Sequence, residues 1–457
     1  MKGARLHKHH SKIVTLLSIL LLVCNAAIAA TMSLSELAQK DECPFKYKLT
    51  TDEEFLQVVG NPAKTIENKD GGIHLKVLKY KDGNARFIRS HDAKHPYSLV
   101  SVWVYALDGP MDIGQDRAIV LTNTEQLQFF TGHTGLEGVD LSKLNLQTHA
   151  KLLFDSPFDT KTKWPEATKL PKGFSPQKML EKAKYPGLGI RELHKEGITG
   201  EGIRIAIMDQ PPLLHHEDYR HAFEFYDNTK TPRSNPQMHG AALASISVGK
   251  SCGVAPGAKL HYYSVPMWKG ENTCYIDSLN AIVEKNKTLP KEQRVRAIAC
   301  STAMFYRYPR YDEYRKALER AWKSGIVVFT CEDIKKPKFY YCMLNCKRGA
   351  DPDKVQSYEP VSWKQEAFLA KVSLWIPGGT RTVASPNDPS EYDYDKDCGS
   401  SWGTPFLAGL TALALQLNLE MKPDEIINLL HKTAHKTKFG LVVNPKAFVK
   451  AARAAKK

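Results

Sequence analysis

The stretch GIRIAIMD, Gly202–Asp209, is short, almost wholly apolar, and ends in an acid. Its length and composition predict a buried strand. The segments after it keep changing period. HGAALASISVG (239–249) reads as a helix of small residues and KLHYYSVP (259–266) as a strand. SLNAIVEKN (278–286) is helical, VRAIACST (295–302) a strand, YRKALERAWKSG (314–325) a helix, and GIVVFTC (325–331) a strand. Buried strands alternating with amphipathic helices predict an α/β fold, a parallel sheet with helices on both faces. Chemistry in such folds collects at the carboxyl ends of the strands. Asp209 stands at one of those ends.

The whole chain has 457 residues, 42% hydrophobic and 25% charged, as expected of a soluble globular protein with more than one domain. Residues 1–29 read as a signal peptide. Lys2, Arg5, Lys8 and Lys12 form a basic start, IVTLLSILLLV an apolar run, and Ala27-Ile28-Ala29 a small-x-small cleavage pattern. An uncleaved anchor and a lipoprotein signal at Cys24 are the weaker alternatives. The chain is expected to be secreted or periplasmic, touching a membrane only during export. Its net charge of +15 falls to about +11 without the leader. The basic residues are scattered, which argues against a nucleic-acid surface.

Eight cysteines remain after the leader, a number that permits disulfides in an exported chain. Cys252 with Cys274 and Cys342 with Cys346 are the nearest pairings, although connectivity cannot be read from spacing. C-x-x-x-C also suggests zinc, but no second ligand pair accompanies it. Residues 30–184 are expected to form a small α+β domain. HLKVLKY and NARFIRS flank a Lys-Asp-Gly turn as a hairpin would, SLVSVWVYAL and RAIVLTN read as strands, and TEQLQFF and DLSKLNLQTHAKLLF as helices. Between Asp155 and Gly187 the chain is rich in Lys, Pro and Ser, as a linker is.

Three residues then fall in a suggestive order. Asp209 ends its strand, His239 opens a helix, and Ser401 lies in DCGSSWGTPFLAG (397–409) where another helix begins. Each has an ordinary explanation alone: a turn acid, a solvated loop histidine, a helix cap. Their surroundings decide between the readings. GITGEGIRIAIMD, HHEDY, HGAALASISVG, GVAPGAKLHYYSV, VRAIACST, LWIPGGTRTVAS, GSSWGTPFLAG and FGLVVNPKAFVKAA follow one another from about Leu188 to Ala455. In that order they resemble the subtilisin-like serine proteases, the subtilase or peptidase S8 family. HGAALAS is similar to its HGTHVAG segment, and GSSWGTPFLAG to its G-T-S-M-A-x-P-H-V-A-G. The resemblance implies a peptidase domain over 185–457 with Ser401 as nucleophile, His239 as general base and Asp209 as its orienting acid. It also implies a polypeptide substrate and no required cofactor, with residues 30–184 as a pro-region or accessory domain able to act as inhibitor or chaperone.

Departures from the pattern are local. Asp209-Gln210-Pro211 replaces D-S/T-G, Ala241-Ala242 replace the Thr and His of HGTH, and Trp402 and Gly403 replace Met and Ala. Asp333 stands where the family places the oxyanion-binding Asn. Ionised, it would repel a tetrahedral oxyanion; protonated, it could donate to one. Ser301, Thr302 and Ala303 occupy the positions that line the substrate edge, and the Ala303 methyl would narrow the pocket. The acidic stretch from Asp388 to Asp397 admits a structural Ca²⁺, though a solvated acidic loop is the simpler expectation. The expected function is thus an exported serine endopeptidase. The alternative is a weak or inactive subtilase fold used for protein binding, suggested by altered flanks around all three residues. An unrelated α/β hydrolase would need its nucleophile after a strand, and before its acid and histidine.

Overall fold

The structure, a computed structural model, describes residue 33 and residues 52–455 except 60, 71–72, 82, 91–97, 105–108, 111–118, 131–134, 233, 268–271, 303–307, 333, 336–337 and 362–371. The expected leader therefore lies outside the described residues. None of the described helices is long and apolar enough to cross a membrane. The chain divides into two compact units, 1–116 and 117–457.

In the first unit, strands 64–70, 73–80, 83–90, 98–104 and 109–110 form an antiparallel sheet in chain order. The expected hairpin is present, with Tyr80 opposite Gly83. Phe55, from the helix Asp52–Val59, is buried and lies 6.2 Å from the Tyr80 ring.

The second unit is built on a five-stranded parallel sheet. The elements that frame the site, numbered in chain order, start at strand β1 (Phe158–Asp159) and helix α1 (Pro176–Ala183). Then come β2 (Arg204–Asp209), β3 (Phe223–Asp227), α2 (Met238–Val248) and β4 (Lys259–Ser264). Next are α3 (Thr273–Thr288), β5 (Val295–Cys300), α4 (Tyr311–Lys323) and β6 (Val327–Thr330). The sheet order is β3-β4-β2-β5-β6, with β2 at its centre. Alternation along β2 divides its side chains between two cores. Ile205 and Ile207 face α2 and α5 (Gly403–Leu417), whereas Ala206 and Met208 face α3 and α4. Helices therefore cover both faces. Residues 240–248 of α2 and 403–415 of α5 are all buried, which explains why these two helices lack a polar stripe.

Two further sheets, one five-stranded and one three-stranded, flank the central sheet in this unit. In one, β7 (Tyr341–Cys346) and β8 (Leu374–Gly379) run parallel. In the other, β9 (Arg381–Ala384), β10 (Tyr392–Asp395) and β1 are antiparallel.

That pairing draws the chain ahead of residue 184 into the second unit. Residues 117–184 belong to the second unit, and 155–187 is no open linker. Phe158 is buried against Trp164 and Tyr394, at 5.3 and 4.8 Å between ring centroids. The Thr382 hydroxyl donates to the Leu180 carbonyl at 2.8 Å. Apolar residues are sparse in this segment, but the few present are buried. The helix expected over 140–154 shrinks to Ala150–Asp155. Asp140 and Asn145 accept from the backbone N–H two residues on, and such turns compete with helix. Among the described residues RAIVLTN contributes the two-residue strand Ile119–Val120, and TEQLQFF forms a 3₁₀ helix.

The nearest cysteine pairings also fail. Cys252, Cys300, Cys346 and Cys398 carry free thiols. Cys342 and Cys346 lie on one strand, where four residues span about 13 Å, twice the reach of a disulfide.

One close approach sets the position of α2. A Cβ at Gly240 would lie 2.2 Å from the Gln210 carbonyl oxygen and 2.7 Å from that of Pro211. Backbone cannot yield there as a flexible side chain would. Gly240→Ala is expected to destabilise the protein by about 1–3 kcal/mol through this overpacking, read as a lower urea midpoint at unchanged slope.

Candidate active site

Asp209 ends the central strand of the parallel sheet and is fully buried. Its Oδ1 accepts from its neighbour Gln210 N at 2.7 Å and from His239 Nδ1 at 2.6 Å. Oδ2 is buried without a hydrogen-bond partner. The loop that follows is held from two sides. Tyr262 donates its hydroxyl to the Gln210 carbonyl, and Gln237 N donates to the Pro211 carbonyl. These contacts and the close approach at Gly240 bring the first turn of α2, and so His239, against Asp209.

The ring orientation assigns a tautomer. Nδ1 faces a carboxylate and donates to it, which leaves Nε2 to face the remaining space as an acceptor. Burial by itself would lower the His239 pKa. The Asp209 charge and then the hydrogen bond outweigh it and hold the imidazole above its ordinary 6.5.

Ser401 lies in a 3₁₀ turn, Ser400–Trp402, that runs directly into α5 and contacts α2. The backbone of the turn is tied down on both sides of the serine. Tyr341 donates its hydroxyl to the Ser400 carbonyl at 2.8 Å, and Ser301 Oγ donates to the Ser401 carbonyl at 2.9 Å. Thr404 Oγ1 donates to the same carbonyl at 3.2 Å. The Ser401 hydroxyl itself makes no hydrogen bond among the described residues, His239 included. Nucleophile and base hydrogen bonds are often long without substrate. A Cβ at Gly399 would lie 3.1 Å from Ser401 Oγ, so a side chain there would crowd the hydroxyl.

The structure brings Asp209 and His239 into contact and lays the Ser401 turn beside the helix of His239. Ser301 stands at the end of β5 with its hydroxyl turned inward to the Ser401 turn. The Thr302 carbonyl accepts from Cys331 N at 3.2 Å, joining the ends of β5 and β6. Ala303 and Asp333 lie outside the described residues. His216 and Asp218 serve a separate network. Asp218 N donates to His216 Nδ1, whose Nε2 then donates to the Glu391 carbonyl, while the Asp218 carboxylate accepts from Ser245 and Ser251.

The expected solvated loop over 388–397 is corrected: Glu391 is fully buried and residues 392–395 form β10. Sequence reasoning missed the support from Tyr341 and Thr404. Their only signal is proximity across 59 residues of chain in one case and a Thr three residues after the serine in the other.

Such an arrangement can move a proton from a hydroxyl to a neutral imidazole while a carboxylate stabilises the imidazolium. No protein-family model matches the chain. Serine protease AprX of Bacillus subtilis (strain 168) is 26% identical over 285 residues, covering 53% of this chain and 63% of AprX. The chain thus spans a little under two thirds of that relative. Among solved structures, fervidolysin from Fervidobacterium pennivorans overlaps 58% of this chain and 45% of its own, with 18% identity and a TM-score of 0.44. A structure of the subtilase cytotoxin SubAB assembly overlaps 61% and 97%, with 16% identity and a TM-score of 0.46. In its ordered motifs, its Asp209–His239 pair at the end of a central parallel strand and its likeness to AprX, the chain is similar to the subtilisin-like serine proteases.

Proposed function

We propose that this protein is an exported serine endopeptidase that cleaves polypeptides through an acyl-enzyme. The observation carrying the proposal is the 2.6 Å bond between a fully buried Asp209 and His239, beside the Ser401 turn. His239 Nε2 takes the proton as Ser401 Oγ attacks the scissile carbonyl. Asp209 stabilises the imidazolium, which then protonates the leaving amine. Water, deprotonated by the same nitrogen, releases the acyl group. The Ser401 N–H, at the positive end of α5, faces the developing oxyanion. Asp333, kept protonated, supplies the side-chain donor that Asn gives elsewhere in the family. Ser301, Thr302 and Ala303 mark the edge along which substrate lies. On this reading the pro-region is confined to the first unit, because 117–184 packs within the second.

One observation favours a second reading, a protein-binding module: the Ser401 hydroxyl is not bonded to His239. A fluorophosphonate probe separates the two. Labelling of the wild type that disappears in Ser401→Ala supports the peptidase, and absence of labelling from pH 5 to 9 supports the binding module.

The pH profile carries its own sign. Because Asp209 raises the His239 pKa, the base is protonated and idle below it. kcat/KM should climb about tenfold per pH unit and level off only above an apparent pKa higher than 6.5. Asp209→Asn should shift that limb downward and cut kcat by about 10⁴. Asp333→Asn is expected to keep or raise activity at neutral pH, measured on a peptide substrate; complete loss would remove Asp333 from its assigned role.

A further inference from the structure

A cavity of about 740 Å³ opens in the second unit, and none of Asp209, His239 and Ser401 lines it. Its walls come from α1, the turn after β7, the start of β9 and the residue after β10. It lies at the far end of β7 from Tyr341, about 17 Å along the strand. Seven of the side chains lining it are cationic and two are carboxylates. Lys396 pairs with one carboxylate, Asp155, at 2.5 Å. Lys172, Lys178, Lys182, Lys347, Arg348 and Arg381 form no salt bridge among the described residues, Glu359 included. Six like charges around one concave space repel one another.

The fold holds them there. Lys182 Nζ donates to the Gly349 carbonyl at 2.8 Å, which ties α1 to the turn after β7. Thr380, on the cavity wall, has a φ of 57°, a strained backbone for a β-branched residue. Its N donates to the Lys396 carbonyl at 2.7 Å and its Oγ1 to the Cys346 carbonyl at 3.1 Å. Those bonds hold the strain and join the ends of β7 and β10. Arg381 is the most deeply set of the six, only 3% exposed. Its Nη2 donates to the Cys252 carbonyl at 2.8 Å, while Nε and Nη1 have no hydrogen-bond partner. A buried guanidinium in that state is costly unless negative charge comes near it.

We propose that this cavity is a binding site for a small phosphate-bearing ligand. Its volume suits a small molecule. A phosphate group carries roughly two negative charges, so two or three groups balance six cations within that space. Carboxylates would need about twice as many groups in the same volume. The planar fork of Arg348 also matches phosphate oxygens. Phe154, Met179 and Tyr185 line the cavity as well, with the Arg348 guanidinium over the Phe154 ring. They offer a surface to a planar or apolar part of the ligand. A nucleic acid would call instead for a basic stripe across the surface, and the remaining basic residues are scattered. The site stands independently of peptidase activity.

The test uses the full chain carrying Ser401→Ala, so that self-digestion cannot intervene. Tripolyphosphate and ATP, both without Mg²⁺, are titrated by calorimetry. One saturable site for both is expected. Tighter binding of ATP assigns the aromatic wall to a base ring, and equal binding assigns recognition to phosphate alone. Lys178 and Arg348 are exposed, so their replacement leaves the core intact. Lys178→Glu and Arg348→Glu should each weaken binding roughly tenfold or more. Lys316→Glu, which makes the same charge change on the exposed face of α4, should leave it unchanged. No saturable binding, or binding unchanged in both cavity variants, would overturn the proposal. Equal weakening by Lys316→Glu would also do so, marking unspecific attraction. Full competition by a hexaglutamate peptide would sink it too, because the site would then serve acidic polypeptide.

Discussion

The architecture of the second unit turns on the absence of one methyl group. Only glycine at 240 lets α2 rest on the carbonyls of Gln210 and Pro211. That contact fixes how far His239 sits from Asp209, and hence whether an imidazole can reach a carboxylate sealed under the sheet's end. Everything around it serves the same placement. Tyr262 holds the Gln210 carbonyl from below, and Gln237 holds the loop from the helix side. The small residues of α2 let the helix sink between the sheet and α5.

A second constraint concerns the Ser401 turn. Its carbonyls are gripped by hydroxyls from three separate elements: Tyr341 on β7, Ser301 at the end of β5, and Thr404 at the start of α5. Hydroxyl grips of this kind stiffen the backbone and leave the serine's own side chain unengaged. The turn is therefore held in shape by its neighbours, whatever the Ser401 side chain does.

The alternation of strands and helices between Gly202 and Cys331 was legible because burial on both faces makes the strands continuously apolar. The Asp209–His239 contact was legible only through the motifs around it, since each residue alone looks like a turn or cap residue. Residues 155–184 were misread because composition there is set by exposed Lys and Pro, while the fold depends on Phe158, Phe174 and Leu180. Glu391 and Asp393 were misread for a related reason. Acidic residues are ordinarily exposed, and nothing near them in the chain announces Asp159, more than two hundred residues earlier.

The short strand β1 has a consequence for the sheet it closes. β10 is paired on one side by β9 and on the other only by Phe158–Asp159. A chain cut to begin at the parallel-sheet motifs would leave Tyr392–Asp395 as an open edge, with Tyr394 stripped of its aromatic cover. Unpaired N–H and C=O groups beside an uncovered aromatic are a template for intermolecular pairing. The segment ahead of the recognisable motifs thus acts as a selvedge, keeping the fabric from joining itself to the next molecule.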